Sequence, residues 1–266
     1  PGMESSGIVT EVGEGVTNVA VGDRVMANHG VGGFAEYVLA PEQNTYKIPD
    51  NMPYDQAAGF PVTYGTTYHG LVDRGRLQPG EVLLVHGAAG GVGLNAVELG
   101  KALGATVIGT VGSDEKMDIV RQYGADHVIN YSKENIRDRV KELTGDKGAD
   151  VIYDAVGGDA FDQSMRCINW DGRLLVIGFA SGRIAELKTN LVLLKGCSVI
   201  GVFWGEWTRR YPEKNRANFI TMLDMVKEGK LKPHVSMHFP LEKGAEAMKA
   251  LLSRKSTGKV IITVKD

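Results

Sequence analysis

The feature that most constrains the fold is a short apolar run that leads directly into a glycine-rich stretch. Residues 82–86 read Val-Leu-Leu-Val-His, and residues 87–93 read Gly-Ala-Ala-Gly-Gly-Val-Gly. Residues 92–103 then carry the apolar spacing of a helix and end at Gly104. A strand, a tight turn and a helix N-terminus in this order are typical of a pyrophosphate site, because the free N–H groups of the helix point at the anion.

The glycine pattern is matched only in part. Of the Gly-x-Gly-x-x-Gly motif, the last two positions are Gly90 and Gly93, and the first is Ala88. The alternative interpretation is a glycine turn that serves only helix–sheet packing, but the strand–loop–helix context favours a nucleotide site. We therefore expect cofactor contacts from Ala89, Gly90, Gly91, Val92 and Gly93.

Apolar runs and helical segments alternate through the middle of the chain. The runs lie at residues 82–86, 105–111, 127–130, 151–155, 173–179 and 198–204, and helical patterns at 92–103, 114–123 and 136–143 separate the first of them. This alternation is typical of βαβ units. It predicts an α/β fold with a doubly wound, six-stranded parallel Rossmann sheet.

The two ends of the chain lack the regular alternation of strand and helix patterns. Short strand patterns at residues 7–13, 19–27 and 34–39 alternate with glycines and predict a small barrel or sandwich. Toward the other end, residues 215–229 and 241–252 read as helices and 259–264 as a strand, and residues 211–214 are the most linker-like stretch.

Composition excludes several classes of protein. Thirty Lys and Arg residues against 32 Asp and Glu give a net charge of −2, too little positive charge to hold nucleic acid or an anionic membrane. No apolar run is long enough to cross a bilayer. Two cysteines exclude a disulfide scaffold and suit a reducing compartment. We expect a cytoplasmic protein with a small-molecule partner and with neither a nucleic-acid nor a membrane partner.

The second strand of the predicted sheet bears on the choice of dinucleotide. Its end reads Gly-Thr-Val-Gly-Ser over residues 109–113, without an acid at the tip, and Lys116 follows one turn later. A hydroxyl and a lysine suit a 2′-phosphate, so Ser113 and Lys116 favour NADP(H) over NAD(H). Alternatively, Ser113 is a helix N-cap and Lys116 a solvated lysine. Asp114 and Glu115 would oppose a phosphate unless they point away.

Together these motifs resemble the medium-chain dehydrogenase/reductase superfamily, and within it the zinc-independent NADPH:quinone oxidoreductases, which include the zeta-crystallins. Residues 1–9, 21–25 and 33–38 are similar to the family's GroES-like domain, residues 80–93 to its nucleotide loop, and residues 258–261 to its terminal signature. The resemblance implies a mostly β GroES-like catalytic domain of residues 1–61 and 206–266, into which a Rossmann NADP(H)-binding domain of residues 62–205 is inserted.

The resemblance also implies that the family's first strands precede residue 1, which makes the catalytic domain N-terminally incomplete. Two alternatives are open here, a piece of a longer polypeptide and a genuine truncation. Because family members draw part of the substrate cleft from those strands, no residue is assigned as proton donor or as any other catalytic group.

Zinc is not expected. Zinc-dependent relatives carry a histidine between the glycine and glutamate that correspond to Gly2 and Glu4, and here that position is Met3. Their ligand cysteine is absent from residues 60–67, and no cysteine of a structural zinc lobe follows Val25 before Cys167. A catalytic zinc needs about three protein ligands. Met3 is interpreted as a core residue.

Further cofactor positions follow from the resemblance. Family members place a tyrosine near the 2′-phosphate and a threonine near the nicotinamide, which correspond to Tyr131 and Thr66. The other implied positions lie at strand ends and in the terminal signature, and are Gly157, Gly178, Phe179, Ala180, Phe203, Trp204 and Lys259. For Phe179 and Trp204, core packing is an equal alternative. His69 is expected to be a hydrogen-bonded helix histidine and not a base.

The implied activity is transfer of a hydride from NADPH to a quinone or an activated enone. One alternative is an enoyl-thioester reductase, for which Arg209, Arg210 and Lys214 would supply a basic patch for an acyl-CoA. A second alternative is a non-catalytic NADPH-binding protein. The apolar run at residues 198–203 is expected at the edge of the sheet, where members of the family pair into homodimers.

Overall fold

The computed structural model describes residues 1–253 and 255–264, and its strands form three sheets. In chain order, the strands are β1 Glu4–Ile8, β2 Arg24–Asn28, β3 Thr45–Lys47, β4 Val82–Val85, β5 Thr106–Val111, β6 His127–Asn130, β7 Ala149–Asp154, β8 Ile168–Val176, β9 Ser198–Gly201, β10 Val235–Pro240 and β11 Lys259–Thr263.

The helices are short, apart from two of twelve and sixteen residues. They are α1 Tyr54–Ala58, α2 Pro61–Tyr68, α3 Gly91–Ala102, α4 Met117–Gln122, α5 Ile136–Leu143, α6 Gly158–Cys167, α7 Thr189–Lys195, α8 Trp204–Arg210, α9 Pro212–Lys227 and α10 Gly244–Leu252. Single turns of 3-10 helix lie at Glu42–Asn44, Asp114–Lys116 and Leu241–Lys243, and a π-helical turn at His69–Arg74 extends α2. No helix in the described ranges has both the length and the apolar character needed to cross a bilayer.

The chain divides into two compact units. One comprises Pro1–Gly65 together with Gly205–Asp266, and the other is Thr66–Trp204. The sequence places the corresponding boundaries at 61/62 and 205/206. In both divisions the middle of the chain is a separate unit flanked by two segments that fold together.

The middle unit is built on a six-stranded parallel sheet of order β6-β5-β4-β7-β8-β9. This order reverses direction between β4 and β7, which is the switch point of a doubly wound Rossmann fold. The predicted α/β class and the six predicted strands are therefore confirmed. Two strand ends differ from the prediction, since β8 ends at Val176 and β9 at Gly201, and the chain continues as loops.

Both faces of this sheet are covered, as its continuous apolar strands require. On one face Leu84, Ile108 and Ile152 pack in a buried cluster with α5 and α6. On the other face α3 lies so close that a Cβ on Gly100 would stand 2.4 Å from the side chain of Leu83. Small residues on α3 thus bring the helix close to β4, whose carboxyl end leads into the glycine loop.

The flanking unit contains an antiparallel sheet of order β1-β2-β3 and a separate parallel pair, β10-β11. Its core includes Tyr46 stacked on Phe219 at 4.3 Å and Phe60 stacked on Tyr64 at 4.1 Å between ring centroids. The ring of Tyr46 lies against α9, and Asn215 of that helix donates to its hydroxyl at 3.1 Å. These contacts join the first and last segments of the chain into one core.

Four predictions for the flanking unit are wrong. The strand predicted at residues 7–13 lies instead at Glu4–Ile8, and residues 9–13 form no strand. Residues 34–39 form bends and no strand, and the strand predicted at 19–27 is restricted to Arg24–Asn28, because glycine turns interrupt the pattern before it. Residues 211–214 are not a linker, since Pro212 begins α9 directly after α8. Proline fits the first turn of a helix, where its missing N–H would have had no partner.

Candidate functional site

The glycine loop is held by hydrogen bonds to both neighbouring strands. The N–H of His86 donates to the carbonyl of Tyr153 on β7 at 3.0 Å, and the N–H of Ala88 donates to the carbonyl of Thr110 on β5 at 2.9 Å. Gly87 between them has a φ of +64°, a conformation that glycine adopts at little cost. The loop therefore leaves the sheet at the switch point as a fixed turn.

Gly93 is required by close packing inside this loop. A Cβ at Gly93 would stand 2.1 Å from the carbonyl oxygen of Gly87, far inside van der Waals contact. The position of Ala88, where the motif has its first glycine, is also explained by packing. Its methyl group is fully buried, and a Cβ added at Gly109 on β5 would stand 2.9 Å from it. The absence of a side chain at Gly109 thus leaves room for the methyl group of Ala88, which the motif normally avoids by placing a glycine at that loop position.

The N-terminus of α3 presents open backbone donors. The N–H of Leu94 bonds back to the carbonyl of Gly90 at 2.8 Å, but in the described part of the chain the N–H groups of Gly91, Val92 and Gly93 donate to no backbone carbonyl. No side chain caps the helix at Gly90, which is exposed. Open donors on a glycine turn fit a pyrophosphate, because the positive end of the helix dipole adds to their attraction for an anion.

The carbonyl at the first turn of α3 is tied to α2 and β7. The Thr67 hydroxyl donates to the carbonyl of Val92 at 3.3 Å and receives a hydrogen bond from the Tyr153 hydroxyl at 3.0 Å. Thr67 and Tyr153 are fully buried, and burial raises the pKa of Tyr153. Thr66, the predicted nicotinamide contact, lies next to this network and is half-buried.

His86 is a buried polar residue that the sequence does not mark as part of the site. The Ser164 hydroxyl donates to the carbonyl of Ala160 at 2.7 Å, so its oxygen accepts from Nε2–H of His86, also at 2.7 Å. Nδ1 of His86 then accepts from the Thr110 hydroxyl at 3.1 Å. Burial lowers the pKa of His86, although the carboxylate of Asp154 opposes that shift. A neutral histidine therefore links β4, β5 and α6 beside the loop.

The predicted 2′-phosphate residues meet at the ends of β5 and β6. A Cβ at Gly112 would stand 2.6 Å from the hydroxyl of Tyr131, so the tyrosine lies over the turn that contains Ser113. Ser113 occupies the N-cap position of the turn Asp114–Lys116, but its side chain makes no capping hydrogen bond. Lys116 is half-buried at the end of the same turn. The structure thus brings Ser113, Lys116 and Tyr131 together.

Asp114 is directed toward the end of β6. Its Oδ1 accepts from the side-chain amide of Asn130 at 2.7 Å, and its Oδ2 accepts from the ammonium of Lys133. Hydrogen bonds from Lys133 and then from Asn130 lower the pKa of Asp114. The acid that would oppose a phosphate is therefore ion-paired. Glu115, its neighbour, is exposed.

At the end of β7, Asp154 organises the next loop. The carboxylate of Asp154 accepts from the N–H groups of Val156 and Gly157, at 2.9 and 2.8 Å. Gly157 has a φ of +68°, and a Cβ there would stand 3.2 Å from the ring of Phe179. The segment that contains Gly178, Phe179 and Ala180 crosses this point, and the N–H of Ala180 donates to the carbonyl of Ala155 at 3.1 Å.

The structure distinguishes the predicted aromatic contacts. Phe179 is 47% exposed, so core packing does not account for it. Phe203, two residues after the last strand of the sheet, is 76% exposed. Trp204 is only 6% exposed, which agrees with the alternative of core packing. His69, as expected, has a hydrogen-bond partner, because its Nδ1 lies 2.8 Å from a carboxylate oxygen of Asp73 one helical turn away.

Lys259, the last predicted cofactor residue, lies in the flanking unit at the start of β11. Its ammonium is 2.5 Å from Oε1 of Glu4, whose other oxygen accepts from the N–H of Val62 at 2.7 Å. The interpretation of Met3, the residue before Glu4, as a core residue is wrong, since Met3 is 54% exposed. Neighbouring side chains of an extended chain point to opposite sides, and the side chain of Glu4 takes the inner one.

A metal site and an acyl-CoA site would each require a cluster of polar side chains. Within residues 1–253 and 255–264, no group of three or more His, Cys, Asp or Glu side chains is arranged to hold a metal ion. Arg209 and Arg210, considered for an acyl-CoA, both form ion pairs with Glu206 on the same helix, at 2.7 and 2.8 Å. Lys214 lies 5.1 Å from the ring centroid of Tyr211.

Two family models match the chain. Residues 1–50 match the alcohol dehydrogenase GroES-like domain, and residues 91–227 match the zinc-binding dehydrogenase family. The first match lies in the flanking unit, and the second begins at the helix that follows the glycine loop and continues into α9.

Individual relatives are similar over nearly the whole chain. A quinone oxidoreductase-like protein 2 homolog from Nematostella vectensis is 46% identical over 268 residues, which cover 100% of this chain and 73% of the relative. The solved structure of a Pseudomonas syringae pv. tomato quinone oxidoreductase superimposes with a TM-score of 0.91 at 33% identity, over 99% of this chain and 81% of that one. An Escherichia coli quinone oxidoreductase solved with NADPH gives a TM-score of 0.89 at 31% identity, over 98% and 82%.

Proposed function

Because the chain belongs to the quinone oxidoreductase-like proteins of the medium-chain dehydrogenase/reductase superfamily, we propose that it transfers a hydride from NADPH to a quinone or an activated enone. The observation that carries the proposal is the glycine loop, with its close contact between Gly87 and Gly93 and its open N–H groups at the start of α3. The E. coli relative solved with NADPH supports the same choice of cofactor.

The proposed cofactor site extends along the carboxyl ends of the strands in the domain of residues 62–205. The N–H groups at residues 91–93 bind the pyrophosphate, together with the backbone of Ala89 and Gly90, and Ser113, Lys116 and Tyr131 bind the 2′-phosphate. The nicotinamide half is assigned to the predicted residues of this domain that core packing does not explain, which are Thr66, Gly157, Gly178, Phe179, Ala180 and Phe203.

In this proposal the bound NADPH supplies the hydride, and the acceptor takes up that hydride and one proton to become a hydroquinone or a saturated ketone. The protein orients the reactants. The Thr67–Tyr153 network fixes the first turn of α3, and the Asp154 carboxylate fixes the turn at Gly157. Fixed geometry of this kind accelerates hydride transfer because it removes the entropic cost of aligning the donor with the acceptor.

We also propose that the reaction proceeds without zinc. Supporting this proposal are Met3, which replaces the histidine ligand of zinc-dependent relatives, and Glu4, whose carboxylate is engaged by Lys259 and by the backbone of Val62. Both oxygens of this carboxylate already have partners in the protein. It is therefore poorly suited to bind zinc, since a zinc ligand must offer its lone pairs to the metal.

We further propose a cytoplasmic homodimer. The edge strand β9 and the neighbouring helix α7 expose large apolar side chains, among them Leu193, Leu194 and Phe203 at 80, 68 and 76%. A sheet edge bordered by such side chains is suited to pairing with a second copy.

The proposed cytoplasmic location is supported by the two cysteines, Cys167 and Cys197, which are both buried. Burial raises the pKa of both thiols, to about 12 for Cys167, which fits proteins that keep their cysteines reduced.

The test is to follow the loss of NADPH absorbance with 1,4-benzoquinone, in parallel with NADH and with a trans-2-enoyl-CoA. The proposal predicts quinone-dependent turnover with NADPH preferred over NADH. Turnover only with the thioester would instead assign the chain to the enoyl reductases, although the pairing of Arg209 and Arg210 with Glu206 weakens the case for a CoA site. Saturable NADPH binding without turnover on any acceptor would identify a non-catalytic binder.

A further inference from the structure

Asp114 lies three residues beyond the end of β5, near the sequence spacing at which a carboxylate selects NAD(H). In Rossmann sites that select NAD, a carboxylate about 20 residues beyond the glycine loop binds the ribose hydroxyls. In this chain Ser113 and Asp114 follow Gly93 by 20 and 21 residues. A chain with Asp at this spacing therefore has a residue of the NAD-selecting type close to the proposed 2′-phosphate.

Two partners from the end of β6 engage this carboxylate. The Asn130 side chain donates to Oδ1 of Asp114 at 2.7 Å, and the Lys133 ammonium donates to Oδ2. The two oxygens that would receive the two ribose hydroxyls thus each accept a hydrogen bond from the protein. Both partners are placed by the parallel register of β5 and β6, in which Val111 pairs with Asn130.

The same contacts remove an electrostatic obstacle. A 2′-phosphate carries nearly two negative charges, and a bare carboxylate a few ångströms away would repel it. The ion pair with Lys133 makes the local charge of Asp114 and Lys133 close to zero. Tyr131, the proposed phosphate contact, immediately follows Asn130, so the neutralised acid and the phosphate site share one strand end.

We propose that Lys133, with Asn130, determines coenzyme specificity indirectly, by engaging Asp114 and so converting an NAD-type position into one that accepts a 2′-phosphate. This inference rests on the proposed NADP(H) site. In it Lys133 acts on Asp114 and not on the phosphate, so removing the lysine is harmful only while the carboxylate is present.

Binding of 2′,5′-ADP and 5′-AMP to the full chain, measured by calorimetric titration, separates these roles without any turnover. For Lys133→Ala we expect about tenfold weaker binding of 2′,5′-ADP, from repulsion between the released carboxylate and the phosphate, and little change for 5′-AMP. In Lys133→Ala combined with Asp114→Asn, we expect the wild-type preference for 2′,5′-ADP to return, because no charge is left to repel the phosphate.

Lys101→Ala is the control, since Lys101 also forms a partly exposed lysine–aspartate ion pair, with Asp126 at 2.6 Å, away from the strand ends of the site. It is expected to bind both nucleotides like the wild type. If the double variant stays as weak as Lys133→Ala, the lysine contacts the phosphate itself and the inference is overturned. Unchanged binding by Lys133→Ala also overturns it. A wild type without preference for 2′,5′-ADP contradicts the proposed NADP(H) site instead.

Discussion

His86 and Ser164 are joined by a buried hydrogen bond of 2.7 Å that ties the residue before the glycine loop to the middle of α6. Because the Ser164 hydroxyl donates to the carbonyl of Ala160, the histidine must donate from Nε2, and its Nδ1 is left to accept from Thr110. This arrangement needs a neutral ring, since a protonated Nδ1 cannot accept. The glycine loop is thus supported by a histidine that burial keeps neutral in the folded chain.

The first prediction concerns pH. Burial keeps the pKa of His86 below its ordinary value of 6.5. As the pH falls below 6.5, this histidine therefore binds a proton in the unfolded chain but not in the folded chain. The free energy of unfolding should therefore fall between pH 7 and pH 5, by up to about 1.4 kcal/mol for each pH unit below the unfolded pKa. The measurement is urea unfolding across this range for the wild type and for His86→Gln.

The variant isolates the contribution of this histidine, because all other titrating groups, including His234, are the same in both proteins. His86→Gln should be about 1–3 kcal/mol less stable at pH 7, since it weakens two buried hydrogen bonds, and its stability should depend less on pH. Identical pH dependence in the two proteins would show that His86 does not titrate in this way.

The second prediction concerns Gly93. In Gly93→Ala the new methyl group would clash with the carbonyl of Gly87, 2.1 Å away, and force the loop off the sheet. We expect a loss of about 1–3 kcal/mol in stability and at least a tenfold loss in NADPH affinity, measured by thermal unfolding and by fluorescence titration. Gly7→Ala is the control, because nothing lies within 4 Å of a Cβ there. Unchanged NADPH affinity in Gly93→Ala would remove this loop from the site.

The third prediction concerns the buried pair of hydroxyls. Thr67→Val leaves the Tyr153 hydroxyl without its partner in a fully buried place, which should cost about 1–3 kcal/mol in the free energy of unfolding. Adding Tyr153→Phe removes the unsatisfied group, so the double variant should be more stable than the sum of the two single effects predicts. Chemical denaturation of the four proteins tests this, and strict additivity would mean that the two hydroxyls are not coupled.

The fourth prediction concerns Tyr131, which is 49% exposed and lies over Gly112. Tyr131→Phe removes one hydroxyl from an exposed place, so stability should change by less than about 0.5 kcal/mol. Affinity for NADPH should fall by about fivefold with the loss of one hydrogen bond to the phosphate, whereas affinity for NADH should not change. Equal losses for both nucleotides would place the hydroxyl away from the 2′-phosphate.

Much of the middle unit could be predicted because its signals are local. Each strand of a parallel sheet buried on both faces is a continuous apolar run, and α5 begins and ends at its predicted residues, with Asn135 as an N-cap that accepts from the N–H of Asp138 at 3.1 Å. The glycine loop was predictable for the same reason. The strand predicted at residues 34–39 was wrong because neighbouring sheets decide whether so short a pattern pairs.

The partners inside the site could not be predicted, because they depend on register. The pairing of Asp114 with Lys133 requires the alignment of β5 with β6, and the pairing of His86 with Ser164 spans 78 residues. Neither leaves a periodic pattern in the sequence. In the same way, the match to the glycine motif is weak at Ala88, and only the structure shows that Gly109 on the adjacent strand β5 makes room for its methyl group.

The most direct test of hydride transfer on this protein uses NADPH that carries deuterium on one face of the nicotinamide ring, prepared separately for each face. After oxidation by 1,4-benzoquinone, mass spectrometry measures the deuterium left in NADP⁺. A cofactor held in one orientation predicts complete loss of the label from one stereoisomer and complete retention in the other. The same mixture of products with and without the protein would contradict the proposal, because it would mean that the chain does not bind NADPH for this reaction.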